Sequence, residues 1–299
     1  MNFRRLQYFL AVVDAGTVTA AAETLLIAQP ALSRQIKTLE RELRLALFEP
    51  QGNRLVLTSA GRALVPVARR LMVETRGFEE AAAALRTGRV EQLVAATTSA
   101  SLRGFLAPFI ATTSPDDPRI IPREVAHFEM SGSLRQGCDF AISPAAPEGP
   151  LRSVPLGRVA LKAYVAPDHP WADRKEISLP ALGSEHVILP SHHSVSRYIL
   201  DEALSREGTG LERVTECDDG QTIMALAAAG HGIGITTDQP LYGARPVRLL
   251  GAGGSPLDLG LHVAWLPGHF AEDTISGIAA RLRGFLREAG AVIPAGAMP

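Results

Sequence analysis

Gln29, Ser33, Arg34 and Lys37 fall on one side of a helical stretch whose other side is Ala31, Leu32, Ile36 and Leu39. An amide side chain can pair with adenine, and a guanidinium or ammonium can reach O6 and N7 of guanine. A hydroxyl can meet a phosphate or a base edge. Together these groups point to base and phosphate recognition; the plainer alternative is the solvated face of an ordinary core helix. Pro30 suits the first turn of such a helix, where its missing N–H costs nothing.

A reading helix has to be held in place by its neighbours. Phe3, Leu6, Phe9, Leu10 and Val13 recur at helical spacing and predict an amphipathic helix over residues 2–14, closed by Gly16. Thr17 is placed to cap a second helix from Val18 to about Leu25, and Ala20, Ala21 and Ala22 give it a surface small enough for close approach. Two short helices and a tight turn make a helix-turn-helix, whose second helix enters the major groove of DNA. Residues 48–58 then predict a hairpin around Gln51-Gly52-Asn53, a wing with Arg54 at its base within reach of a minor groove or a phosphate.

Leu64, Ala68, Leu71, Thr75, Phe78, Ala82 and Leu85 alternate at spacings of four and three, the seam of a coiled coil. They predict a helix over 59–88, capped by Thr58, ended at Thr87-Gly88, with Pro66 able to bend it in an early turn. Its stripe needs a partner, either a second copy or the chain's own second domain. From residue 90 short apolar runs alternate with amphipathic segments, which argues for α/β with mostly parallel sheets. Strands are expected at 93–97, 120–126, 140–143, 159–165, 187–189, 214–217, 233–236 and 261–266. Helices are expected at 101–113, 195–207, 221–229 and 271–288, with 144–155 and 251–256 as loops.

At 299 residues the chain has room for about two domains. Its net charge of −1 hides an asymmetry: residues 1–90 hold 13 Arg/Lys against 8 Asp/Glu, residues 91–299 hold 17 against 23. A mildly basic head on an acidic body suits a polyanion-binding module, and the excess is too small for a DNA-packaging protein. Cys138 and Cys217 stand far apart with no CxxC, so neither a disulfide scaffold nor a zinc site is expected, and a reducing cytoplasm is. The start lacks the apolar core of a signal peptide and no apolar run is long enough to span a bilayer, so neither export nor a membrane is expected. GxSxG, GxxxxGK[ST], HExxH and EF-hand patterns are absent, and Gly230-His-Gly-Ile-Gly lacks GxGxxG spacing. No catalytic set, metal site or cofactor is therefore expected.

Residues 1–88 resemble the winged helix-turn-helix of LysR-type transcriptional regulators. The resemblance rests on Phe3 to Gly16, Ala21-Ala22 with Leu25, and Gln29-Pro30-Ala31-Leu32-Ser33-Arg34-Gln35-Ile36. Leu39-Glu40, Leu47-Phe48-Glu49, Leu57-Thr58 and Ala60-Gly61 continue it in order. It implies that Gln29, Pro30, Ser33, Arg34 and Lys37 contact groove and phosphates, with Arg54 on the wing, and that the helix over 59–88 is a dimerisation helix. Two positions depart from the family pattern: Ala28 stands where Ser is common, and Pro50 where many members have Arg.

The body resembles the same family's effector-binding domain through Phe105-Leu106-Ala107-Pro108, Gly137 to Ile142, His169-Pro170 and Ala228 to Gly234. That resemblance implies a periplasmic-binding-protein-like fold of two α/β lobes, the first about 90–163 with 267–299, the second about 164–266. A ligand would lie between them, at strand ends and helix N-termini where free N–H groups favour anions. Thr98, Ser99 and Ser101, then Ser131, then Ser191, His192, Ser194 and Arg197, and finally Thr236 are the candidate contacts. Their hydroxyls point to a small organic acid; the alternatives are helix capping at 97–101 and a solvated loop at 191–197. Thr236-Thr237 stands where family members often have Leu-Pro, at the floor of such a pocket. The expected whole is a ligand-responsive regulator of double-stranded promoter DNA, a dimer further assembled into a tetramer, acting on RNA polymerase access. A cytoplasmic small-molecule-binding protein or an enzyme built on the two-lobed domain is the alternative.

Overall fold

The computed structural model describes residues 2–51, 54–147 and 149–292, with the backbone alone of Arg54. The chain divides into two compact units, Met1–Gly88 and Arg89–Pro299.

In the first unit α1 (Phe3–Ala15) opens where Asn2 Oδ1 accepts the Arg4 N–H at 2.9 Å, and it closes at Gly16 with φ +72°, a conformation glycine adopts without steric cost. α2 (Val18–Thr24) starts on Thr17, whose hydroxyl oxygen accepts the Ala20 N–H. A turn follows in which Leu26 takes φ +55° and stays 92% exposed. α3 (Gln29–Leu43) then begins at Ala28 with no side-chain cap. β1 (Phe48–Gln51) and β2 (Arg54–Leu57) pair antiparallel. Glu40 ties α3 to this wing, its Oε1 accepting the Leu47 and Phe48 N–H groups at 2.8 and 3.1 Å. Phe9, Leu32, Leu39 and Leu47 form the buried centre around which the helices close.

α4 (Ser59–Thr87) is one continuous helix with Pro66 inside it. Thr58 caps it by accepting the Gly61 N–H at 2.9 Å while donating to the Ala46 carbonyl at 2.7 Å. Gly61 has no substitute here, because any Cβ would strike the Leu47 carbonyl oxygen. Leu64, Ala68 and Leu71 of the seam pack on the head's core, whereas Phe78 and Leu85 are 75% and 85% exposed.

In the second unit β3 (Gln92–Thr97) leads through α5 (Ser99–Ser101) and a π-helical turn at Leu102–Leu106 into α6 (Ala107–Ile110). The sequence predicts one regular helix there; Pro108 cannot donate the bond a regular α-turn needs, and the widened turn lies just ahead of it. β4 (Arg119–Glu124), α7 (Met130–Leu134), β5 (Phe140–Ser143) and β6 (Arg152–Ala160) complete the outbound half of lobe I. Lobe II runs through β7 (Lys162–Val165), β8 (Glu176–Ser178), β9 (His186–Leu189), α8 (Val195–Arg206), β10 (Arg213–Glu216), α9 (Gly220–Ala228), β11 (Ile233–Thr236) and β12 (Arg245–Leu250). β13 (Asp258–Trp265) and α10 (Glu272–Glu288) return to lobe I.

The sheets are ordered β4-β3-β5-β13-β6 and β10-β9-β11-β7-β12-β8. They are more mixed than expected: β13 runs antiparallel to β5 and β6, and β7 to β11 and β12. The reason is the double crossover, since a strand arriving from the other lobe enters its new sheet from the opposite end. The apolar run 159–165 is accordingly two strands, broken at Leu161, whose N–H donates to the Leu257 carbonyl on the returning crossover. The lobe boundaries therefore fall at 161 and at 251–257, and β13 belongs to lobe I rather than to lobe II. Arg152 to Pro155, expected in a loop, are part of β6; β8 and β12 are further strands beyond those expected. β12 escapes a periodicity search because only Val247 and Leu249 of its six residues are buried.

Candidate nucleic-acid face and candidate ligand cleft

α3 turns Leu32, Ile36 and Leu39 into the head and leaves Gln29, Pro30, Arg34 and Lys37 exposed and Ser33 half-buried. Gln29 Nε2 donates to Ser33 Oγ at 3.1 Å, which aligns the two polar side chains one turn apart. Neither Arg34 nor Lys37 has an ion-pair partner among the described residues, so both cations are free for an external anion. The side chain of Arg54 lies outside the described residues, as does the hairpin tip at Gly52 and Asn53.

In the second unit a cavity of about 460 Å³ opens between the lobes. Its walls are strand ends and helix starts, the place where α/β sheets hold ligands. Lobe I contributes the turn after β3, the end of β4 and the following His127–Glu129 turn. Lobe II contributes Ser191, the start of α8, Asp218 with Gly220, and Thr236 to Asp238. Six of the nine expected contacts line it: Thr98, Ser99, Ser101, Ser191, Ser194 and Thr236.

Ser131, His192 and Arg197 do not. After Ala126 the chain bends into a 3-10 turn before α7, so His127 and Glu129 reach the cavity in place of Ser131. Arg197 is 8% exposed and closed into a network of its own. Its Nε donates to both oxygens of Asp201 at 2.8 and 2.9 Å, and one terminal nitrogen donates to Glu216 at 2.9 Å and to the Pro190 carbonyl at 3.1 Å. Burial works against the Arg197 cation, and the two carboxylates more than offset it, raising its pKa. His192 is exposed beside that network, 3.3 Å from Glu216.

Several cavity hydroxyls are also spoken for. Thr98 caps α5 by accepting the Ser101 N–H and donates to the Ser101 hydroxyl at 3.1 Å, while Ser99 donates to the Glu124 carboxylate. Thr236 Oγ1 donates to Asp238 Oδ2 at 2.7 Å. Gly220 makes room for that carboxylate, since a Cβ there would collide with it. Burial and the nearby Asp238 push the Tyr164 phenol far above its ordinary range, and its hydroxyl donates to the Asp238 carbonyl.

Polar and ring contacts join the lobes beside the apolar packing of Val195 and Ile199 from α8 on the core of lobe I. Arg103 of lobe I donates to Asp219 of lobe II at 2.8 Å, and the rings of Phe128 and His193 lie 6.1 Å apart. Burial raises the Asp219 pKa, but the hydrogen bonds from Thr222 and the charge of Arg103 outweigh it and hold the group below the ordinary carboxylate range. Of the neighbouring histidines it is His193 and not the expected His192 that lines the cavity, and sequence reasoning passed over Arg103 and the acids Glu124, Asp218 and Asp238. The signal that marks the acids is position, because each stands within two residues of a strand's C-terminal end.

The comparisons with known proteins agree with this division. Residues 3–62 match the family of bacterial regulatory helix-turn-helix proteins, lysR family, and residues 86–289 match the LysR substrate binding domain. The nitrogen assimilation regulatory protein nac of Escherichia coli (strain K12) is 31% identical over 248 residues, 79% of this chain and 78% of that one. The HTH-type transcriptional regulator YybE of Bacillus subtilis (strain 168), itself uncharacterized, is 27% identical over 90% of this chain and 94% of its own. Full-length CbnR complexed with its target DNA superposes with a TM-score of 0.76 at 22% identity, covering 94% of this chain and all of that one. Full-length BenM does so at 0.57 with 25% identity, covering 99% of this chain and 100% of its own. These relatives are regulators rather than enzymes, and this chain belongs to the LysR family of bacterial transcriptional regulators.

Proposed function

We propose that this regulator reads a two-fold symmetric site on double-stranded promoter DNA as a dimer, through Gln29, Pro30, Ser33, Arg34, Lys37 and the wing residue Arg54. The free pair of cations on the outward face of α3 is the observation that carries this reading. The exposed half of the α4 seam, Phe78 and Leu85, is the dimerisation surface. Pairs assemble into a tetramer in the cytoplasm, and a small molecule between the lobes of the second unit shifts the assembly and, with it, access of RNA polymerase. Among the described residues no helix is long and apolar enough to cross a membrane.

An organic acid, the ligand class suggested by the hydroxyl-rich turns, fits this cleft only if it carries a compensating positive group. Ser99 is already engaged with Glu124, and the lining is acidic. Selection of bound duplexes from a random pool tests the DNA reading. A motif repeated with two-fold symmetry is expected, its halves about one or two helical turns apart. Phe78→Glu should yield a smaller particle by light scattering and lose the paired motif. Failure to enrich any sequence, or a single asymmetric motif in both proteins, would sink it.

A further inference from the structure

We propose that the molecule recognised in the cleft carries an ammonium or guanidinium group, seated against Asp238 and Asp218; this rests on the cleft being the effector site. Four carboxylates line the cavity, Glu124, Glu129, Asp218 and Asp238, against one guanidinium, Arg103. That guanidinium is turned onto Asp219 at 2.8 Å and neutralised there. Asp238 is only 7% exposed. Its Oδ2 takes the Thr236 hydroxyl, and among the described residues no hydrogen bond reaches Oδ1 and no cation pairs with the group. A largely buried carboxylate that lines the cavity and holds one neutral hydroxyl keeps an acceptor oxygen for a ligand, and a charge-assisted bond from a ligand cation would use it.

The start of α9 lies against this carboxylate at Gly220, but Asp219 already accepts the Thr222 N–H there at 2.9 Å, and among the described residues no hydrogen bond runs from α9 to Asp238. A metal ion does not suit the arrangement either. No three acidic, histidine or cysteine groups among the described residues are gathered closely enough to share one. Carboxylates spread around a cavity of about 460 Å³ instead fit an extended organic cation of the size of a basic amino acid or a diamine.

Thermal-shift and calorimetric titrations of the full chain with arginine, lysine, putrescine and agmatine, beside glutarate and benzoate, test this. At least one cationic probe is expected to raise the melting temperature at millimolar concentration. Asp238→Asn and, separately, the exposed-site variant Asp218→Asn should each weaken that probe about tenfold. The inference is overturned if no cationic probe shifts the protein, if a plain carboxylate stabilises it more than all of them, or if both variants bind unchanged. Ser194→Trp, which fills the cleft, separates the two levels of the reading. A probe that still binds this variant binds elsewhere, and the cleft assignment itself fails. Glutarate or benzoate binding that is lost in Ser194→Trp yet untouched in Asp238→Asn keeps the cleft and removes only the cationic class.

Discussion

On α3, Arg34 and Lys37 stand exposed with no ion-pair partner among the described residues, whereas in the two-lobed unit Arg197 is 8% exposed and spends its donors on Asp201, Glu216 and the Pro190 carbonyl. The difference follows from what each surface faces. A solvated cation on a helix costs nothing to keep free, and delivering it to a phosphate releases counterions. A cation at the edge of a cleft loses water, so the chain neutralises it internally, as it also does with Arg103 and Asp219. One surface is left with positive charge to give and the other with carboxylates to satisfy.

Arg34→Ala tests the first half of that contrast and carries the largest effect. Each base contact of this kind is worth about 1–3 kcal/mol, and a dimer presents two heads, so affinity for a selected duplex should fall about 100-fold or more. Fluorescence anisotropy at fixed salt reads this, with thermal melting as the control for folding. An unchanged affinity would remove α3 as the reading helix. Arg197→Ala tests the second half. It leaves Asp201 and Glu216 without their cation and the Pro190 carbonyl without its donor, which should cost about 2–3 kcal/mol of stability in urea unfolding. A loss below about 0.5 kcal/mol would mean that this internal neutralisation contributes little and would remove the contrast.

The head was largely legible because its determinants are local. Gly16 closes α1, Thr17 and Thr58 cap the helices they precede, and the apolar spacing of Leu32, Ile36 and Leu39 sets which face of α3 looks outward. The cleft was legible in outline, as hydroxyls at strand ends, but not in charge. Ser99 meets Glu124 from 25 residues away, Arg197 meets Glu216 from 19, and Arg103 meets Asp219 from 116. No periodicity encodes such meetings. The lobe boundaries were misplaced for a related reason. The run from Val159 to Val165 is apolar throughout, and only the pairing of its two halves in different sheets shows that the chain changes lobe at Leu161.

A smaller effect separates positioning from reading within the head itself. Lys37→Gln should weaken binding to all duplexes by a similar factor and reduce the salt dependence of affinity by about one phosphate per head, leaving sequence preference intact. If the preferred sequence changes as well, Lys37 reads a base edge, and the division of labour with Arg34 has to be redrawn.

The smallest effect runs in the opposite direction. Asn2, Thr17 and Thr58 each lend a side-chain oxygen to the first turn of α1, α2 and α4, while α3 starts bare at Ala28. A hydroxyl at that position satisfies one of the open N–H groups of the first turn, so Ala28→Ser should stabilise the head by about 0.5–1 kcal/mol. In a unit of this size that amounts to a rise in melting temperature of a few degrees, read by calorimetry. The same variant measures what the bare start does for recognition. Open N–H groups at the head of α3 are themselves phosphate donors. Stabilisation with weaker DNA binding would mean that the serine consumes a donor the duplex uses. Stabilisation with tighter binding would mean that the new hydroxyl reaches the phosphate itself.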